Sequence, residues 1–478
     1  MDPQTELISV SAWMTLPFCA LLAMIALGPL FFADWWGRNY PKVVAALALI
    51  VLVYYFGFLH APAHVLSTAH EYISFIVLIG SLFVVSGGIH INVKGEATPA
   101  VNVIFLLVGA LMANVFGTTG ASMLLIRPWL RMNKYRVSAH HVTFFIFIVS
   151  NVGGCLTPVG DPPLFLGYLM GVPFWWVAVR GYLIWITGIG ILLAMFFAVD
   201  TRNYLRAPRN VRASQTGHSE EWRFDGIENV FLLAVVLGSV FINHPLFLRE
   251  ALMVGAAVAS YFMTKKPVHE SNHFSLGPVK EVAILFIGIF ATMMPALEWM
   301  QAGAAKLSGV TPGFFYFGSG TLSSVLDNAP TYICFLKAAF GRYIPSDVVP
   351  QVMQLAQTHA LNLASLTGPN AVQIRHTFEV LQQYHPGELS SGAVTADQIQ
   401  VAYLLGNAGL SIYVLAVSFG SVFFGANTYI GNGPNFMVKA IADHQKIHTP
   451  TFLAYVFRHT LPYMIPMVLI VWWIFFRI

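Results

Sequence analysis

Charge is scarce in this chain: only 10% of its 478 residues are Asp, Glu, Lys or Arg, while 57% are hydrophobic. Soluble domains carry about a quarter charged residues, so the composition excludes a soluble globular protein. Apolar runs near 11–33, 43–59 and 72–92 reach or approach the roughly 20 residues a membrane span requires. Cysteine is nearly absent. Cys19, Cys155 and Cys334 lie in apolar segments at no ligand spacing, which excludes a disulfide framework and a structural zinc. The net charge of +4 sits in a few short loops and points to membrane orientation rather than to nucleic acid. Segment 1–11 has no Lys or Arg, so no cleaved signal peptide is expected.

What is present is a polar, helix-breaking stretch at membrane depth. Residues 150–167 read SNVGGCLTPVGDPPLFLG, placing Ser150, Asn151, Thr157 and Asp161 among Gly153, Gly154, Pro158, Gly160, Pro162 and Pro163 between apolar flanks. Two half-helices joined by a loop fit this pattern. Freed backbone groups are tolerated at that depth only where they are buried in protein or line a cavity, and an intramembrane carboxylate is costly enough to mark a functional candidate. A simple packing kink is the plainer reading, but the pattern recurs. In 421–436, SVFFGANTYIGNGPNF, laying Thr428 on Thr157 puts Gly431 on Gly160, Asn432 on Asp161, Pro434 on Pro163 and Phe436 on Phe165. A broken helix at corresponding places in two halves points to the binding site of a secondary transporter.

The rest of the chain follows the same duplication. Segment 100–132 is too long for one span and is interrupted by Asn114 and Gly117-Thr118-Thr119-Gly120, so it reads as a re-entrant hairpin. A broken span at 141–176 and a span at 182–199 follow. Residues 1–200 form the first repeat, and 201–226 form a polar linker carrying Arg202, Arg206, Arg209, Arg212 and Arg223. The second repeat, 227–478, has spans near 227–243, 250–263 and 281–299, a hairpin at 313–340, a broken span at 401–440 and a last span at 452–476. Its hairpin aligns with the first without a gap, laying Ser324 on Asn114, Asp327 on Gly117 and Asn328 on Thr118. On this map 18 of the 25 Lys and Arg fall on one side, which makes that side cytoplasmic and places both termini outside. The fold class is therefore an all-α polytopic membrane protein of two inverted-topology repeats, each with five spans, one broken, and one re-entrant hairpin. An insertion at 341–400 has no counterpart in the first half. It is expected outside the membrane, away from the transport site, with His359, His376 and His385 as surface residues rather than metal ligands.

Inversion would gather Asn114, Thr118, Thr119, Asn151, Thr157, Asp161, Asp327, Asn328, Thr331, Asn427, Thr428, Asn432 and Asn435 near the bilayer centre. Carboxylate, amide and hydroxyl oxygens suit a small cation, and no Lys or Arg lies in these tips. Burial disfavours a charged carboxyl and a bound cation favours it, so H⁺ and Na⁺ compete for the same group. Na⁺ is accordingly expected at Asp161 and Asp327. Asp327-Asn328 has a structural alternative as a helix cap. Glu298 reads as interfacial, and Glu71 and Asp34 as loop residues.

At these residues the chain resembles a known family. SNVGGCLTPVGDPP is similar to the signature of NhaD-type sodium/proton antiporters, and LSSVLDNAPT (322–331) resembles their second-half segment. GANTYIGNGPN (425–435) resembles a pattern shared by arsenite permeases and citrate or dicarboxylate carriers of the ion transporter superfamily. The resemblance implies roles for Ser150, Asn151, Asp161, Asp327, Asn328, Asn427 and Asn432, a homodimer, and residence in the bacterial inner membrane. Pro162-Pro163-Leu164 departs from the hydroxyl-rich run of the antiporters. The expected function is Na⁺/H⁺ antiport by alternating access, with no cofactor beyond the transported ions and the lipid bilayer as surroundings. Cation-coupled import of citrate, a dicarboxylate or arsenite is the alternative. An intramembrane aspartyl protease is a distant third, opposed by Val159-Gly160 before Asp161, by Leu326 before Asp327, and by a duplication that such chemistry does not need.

Overall fold

Thr98-Pro99 and Thr311-Pro312 start equivalent helices in the two halves. Thr98 Oγ1 accepts from Val101 N at 3.4 Å and Thr311 Oγ1 from Phe314 N at 3.3 Å, while proline fills a first-turn position that has no intrahelical hydrogen bond to lose. Both helices then turn back. In Pro99–Met132 the break is Gly117, at φ +74° and ψ 156°, a conformation that only glycine adopts freely. A methyl group added at Gly109 would sit 3.2 Å from Leu125 Cδ1, and Asn102 Nδ2 donates to Asn133 Oδ1 at 2.9 Å. A straight helix would hold that last pair about 45 Å apart, so the two arms lie side by side. In the second half Pro312–Ser323 and Asn328–Tyr343 meet at Asp327, the N-cap of the returning arm. There Tyr343 Oη donates to Val310 O at 3.0 Å, and the Phe315 and Phe335 rings lie 6.2 Å apart.

This computed structural model describes residues 10–92, 98–206, 223–242, 245–272, 274–304, 306, 309–358, 368–407 and 409–477. The chain is an all-α polytopic membrane protein. Among the described residues six helices have the length and hydropathy of a span: Asp34–Phe58, Pro62–Gly87, Pro99–Met132, Trp176–Arg206, Gly277–Ala304 and Phe452–Phe475. Pro99–Met132 meets that criterion by length although it folds back at Gly117. The only sheet among the described residues pairs His90–Asn92 with Arg223–Asp225, antiparallel. The second half adds the short helix Lys266–Ser271 before its hairpin and the insertion's helices, Val348–Gln357 to Ala396–Gly406, between its hairpin and its broken helix, and its Glu228–Ser239 and Leu248–Met263, with 12 and 16 residues, are short for spans. The halves are sewn together by buried aromatics, such as Phe75 stacked on Phe286 at 4.8 Å. None of the three cysteines is in a disulfide.

Several expectations need correction. The second broken helix begins at Ser411, not 401: Asn407 is extended and Gly409 has φ +79°, so Ala396–Gly406 turns 107° away and joins the insertion. Asp34 stands exposed in the first turn of Ala33–Val53 rather than in a loop. Glu71 and Glu298 lie within the helices Pro62–Gly87 and Gly277–Ala304 and line a large cavity. His385 is partly buried, with Nε2 placed to donate to Gly171 O at 3.0 Å, and the His376 carbonyl packs against Gly406. His359 lies outside the described residues.

The base of the first hairpin is held by a polar cluster that sequence reading missed. Asp200, fully buried near the end of Trp176–Arg206, accepts a bidentate pair from Arg136 and a 2.9 Å bond from Asn102 Nδ2. His140 and His141 Nε2 lie 3.3 and 3.2 Å from Asp200 Oδ1. Removing one member of a buried ion pair strands the other and typically costs about 3–5 kcal/mol. Asp200→Ala should therefore lower stability by an amount of that order, read as a clear drop in the thermal unfolding midpoint in detergent. An unchanged midpoint would show that the cluster does not hold the fold.

Candidate ion and substrate site

The first broken helix runs from Ala139–Ile148 through an irregular loop to Pro162–Leu169, and the second from Ser411–Gly425 to Gly433–His444. Each loop is fastened to the hairpin tip of its own half by matching bonds. Thr157 Oγ1 donates to Asn114 O at 2.6 Å, and Thr428 Oγ1 donates to Ser324 O at 2.6 Å. Gly160 N and Gly431 N then donate to those threonine oxygens at 3.1 Å in both halves. Glycine is required at the crossing: a Cβ on Gly160 would fall 2.1 Å from Gly154 O, and one on Gly431 2.6 Å from Gly425 O.

The two halves meet on Asp161, which is 1% exposed. Thr118 Oγ1, from the first hairpin tip, donates to Oδ1 at 2.6 Å. Asn328 Nδ2, from the second tip, donates to Oδ2 at 2.5 Å, and Asn432 Nδ2, from the second broken helix, reaches Oδ1 at 3.2 Å. Asn432 also donates to Asn151 Oδ1 and Ser150 O, each at 3.2 Å. Asn151 Nδ2 donates to Asn435 Oδ1 at 2.7 Å, and Asn435 Nδ2 donates to the Gly425 and Thr428 carbonyls at 2.9 Å. Asn427 Nδ2 donates to Ser324 Oγ at 2.9 Å. The bonds thus join Asn114, Thr118, Asn151, Thr157, Asp161, Asn328, Asn427, Thr428, Asn432 and Asn435 into the two tip-and-loop assemblies; no bond among the described residues brings in Thr119, Thr331 Oγ1 donates to Asp327 O within its own helix, and one expected carboxylate stands apart. Asp327 Oδ1 accepts from Ala329 N at 3.1 Å and so caps its own helix, although its charge lies within electrostatic reach of Asp161.

The network has oxygens to spare. Asn328 Oδ1 and Asn427 Oδ1 are buried acceptors with no hydrogen-bond partner. Buried polar atoms are normally satisfied, and Asn328 Oδ1, on the amide that donates to Asp161, is an oxygen that suits a hard cation or a water. All three donors to Asp161 are neutral, so nothing bonded to it supplies a fixed positive charge. Asp161 and Asp327 share no hydrogen bond among the described residues, which opposes a proton-sharing catalytic dyad. Sequence reading passed over Ser122, whose Oγ is 2.7 Å from Ser150 Oγ, and Ser324. Ser324 could have been found, since the gapless hairpin alignment lays it on Asn114.

One other group of ligand-type atoms lies together among the described residues, His140, His141 and Asp200, within 4.8 Å of one another. It is not built for a metal. Arg136 occupies the carboxylate, and Ser138 N donates to His141 Nδ1 at 3.3 Å, which makes His141 Nε2 a donor to Asp200 rather than a ligand.

A family model described as "Putative citrate transport" matches residues 7–476. No curated protein matches the chain.

Gly160→Ala forces a methyl group onto a backbone carbonyl, whereas a Cβ on Gly433 would meet nothing within 4 Å. Overpacking of this kind costs about 1–3 kcal/mol. Thermal unfolding in detergent should show a clear loss for Gly160→Ala and almost none for Gly433→Ala; equal behaviour of the two would contradict the close crossing of strands described here.

Proposed function

The chain belongs to the citrate transport family, and from that premise we propose that it is a cation-coupled secondary transporter of a carboxylate anion, with Asp161 as the carboxylate that binds the coupling cation. One observation carries the reading: a single buried carboxylate receives donors from both hairpin tips and from the opposing broken helix, beside the Asn328 amide oxygen left without a partner. A cation there neutralises Asp161 and lets an anion approach a pocket that has no lysine or arginine of its own.

Helix starts supply the anion's donors in this reading. Pro162 and Pro163 remove two N–H groups from the helix that Asp161 opens, so that start is a poor anion site. The helix Gly433–His444 keeps Gly433 N–H in its first turn and has open space beside it. The anion is therefore assigned to the Asn432-Gly433 side and the cation to the Asp161 side. The face bearing Arg127, Arg131, Lys134 and Arg136 is taken as cytoplasmic, the two halves as inverted repeats, and the assembly as a homodimer in the inner membrane.

Na⁺/H⁺ exchange without an anion is the second reading. It is favoured by the proximity of a second carboxylate, Asp327, and by the resemblance of the loop motif to antiporters.

The test is uptake of labelled citrate into proteoliposomes under imposed Na⁺ and pH gradients. Wild type should accumulate citrate when a cation gradient is present, and Asp161→Asn should abolish accumulation, because an amide keeps an oxygen ligand but not the charge. Full activity in Asp161→Asn contradicts the proposal. Na⁺-driven proton flux with no citrate uptake would replace it with the antiport reading.

A further inference from the structure

A cavity of about 1090 Å³ opens between the helices Pro62–Gly87, Gly277–Ala304 and Asn328–Tyr343 and the insertion. Its lining includes Leu166 and Ile333, each just over one helical turn beyond Asp161 and Asn328, so it approaches the transport site from one side. At one corner the Tyr55 hydroxyl lies beside the Glu298 carboxylate and interacts with it, while His64 Nδ1, on a third element, is a buried atom with no hydrogen-bond partner. Tyr55 is 0% exposed and belongs to a π-helical turn, Tyr54–Phe58, a rare geometry that often marks functional sites. His64 and Glu298 face the cavity, with side chains 22% and 16% exposed.

His64 Nε2 and Glu298 Oε1 are 4.0 Å apart, too far for a hydrogen bond and near the spacing that one water oxygen bridges. The charged groups lining the cavity include Glu71 on the His64 helix, Lys337 and Arg342 on the second hairpin, the Arg249–Glu250 pair, Glu388, and Asp397 on the insertion, whose carboxylate pairs with Lys337 Nζ at 2.5 Å; His70 and His385 line it too. Lys337 lies within electrostatic reach of Glu71, Glu298 and His64. Imidazole, phenol and a neighbouring ammonium disfavour a metal cation, which prefers an all-oxygen shell. The same groups suit a proton, which an imidazole can hold and a phenol can help position.

We propose that Glu298, positioned by Tyr55 and His64, is a proton-exchange site at the wall of the cavity that loads the proton accompanying transport. A hydronium in the cavity breaks one O–H bond and leaves as water, while an O–H bond forms on the Glu298 carboxylate; release on the return step is the reverse. This rests on the transport reading above and adds to it a second ion site, separate from Asp161.

Proteoliposomes holding a trapped pH dye allow citrate uptake and lumenal pH to be followed together from about pH 5 to about pH 8. Wild type should show an acid limb changing by up to about tenfold per pH unit, as for a single titrating group. Glu298→Gln should lose most of the proton flux per citrate and flatten that limb to less than about twofold per unit. Glu298→Asp should restore part of the coupling, and Glu270→Gln, at an exposed position, should behave as wild type. If Glu298→Gln does not fold, Tyr55→Phe and His64→Asn should each move the acid limb without abolishing uptake. A wild-type proton-to-citrate ratio in these variants overturns the proposal, as does a change confined to Na⁺ dependence, which would mark a metal-cation ligand. Wild-type vesicles that take up no carboxylate contradict the transport reading itself, so the two failures are distinguishable.

Discussion

A carboxylate buried with only neutral donors is the constraint on which the architecture turns. Asp161 is sealed from water, and three elements distant in sequence must hold Thr118, Asn328 and Asn432 within bonding distance of it. An isolated buried charge is strongly disfavoured unless it is paired. The site is therefore at ease only when Asp161 holds a proton or has a cation beside it. With Asp161 as the proposed ion-binding carboxylate, a fold that brings two hairpin tips and two helix breaks to it would make ion occupancy and the packing of its halves a single equilibrium. That coupling is what a secondary transporter needs, because a ligand drives a conformational change only by its different affinity for the two states.

Near symmetry makes the departures informative. The Thr157–Asn114 and Thr428–Ser324 bonds repeat at 2.6 Å in the two halves. Yet the acid at position 161 has an amide, Asn432, as its counterpart, and the glycine that breaks the first hairpin has an aspartate, Asp327, as its own. The two hairpins are also anchored differently. The first is tied at its base to the buried Asp200, while the second is held by Tyr343 and by the Lys337–Asp397 pair to the insertion. The insertion is thus linked to the hairpin arm that begins at Asn328, beside Asp161, and it helps roof the cavity where Glu298 lies.

Much of this was legible in the sequence, for physical reasons that can be named. Gly117, Asp327, Pro162 and Pro434 act locally, through backbone freedom, capping and missing N–H groups, so the breaks could be located from residue type and internal repetition alone. Thr118, Asn328 and Asn432, which contact Asp161, are among the residues that the internal repetition gathers. What could not be read depends on long-range partners. Asp200 gathers Asn102, Arg136, His140 and His141 from three elements, and no local pattern announces it. Glu298 reads as interfacial and Glu71 as a loop residue because burying an acid in a span is costly, and only the cavity beside them removes that cost. The start of the second broken helix was misplaced because 401–410 is apolar enough for a span, and the extended Asn407 with left-handed Gly409 outweighed hydropathy.

The central claim, that Asp161 is the ion-binding carboxylate on which both halves close, is tested most directly by equilibrium binding of radioactive Na⁺ to purified protein in detergent, where no flux, gradient or membrane orientation intervenes. Wild type should bind Na⁺ saturably, in competition with protons, and Asp161→Asn should bind none above background while remaining folded. Saturable, proton-sensitive Na⁺ binding that persists unchanged in Asp161→Asn would contradict the account and move the ion site elsewhere in the molecule.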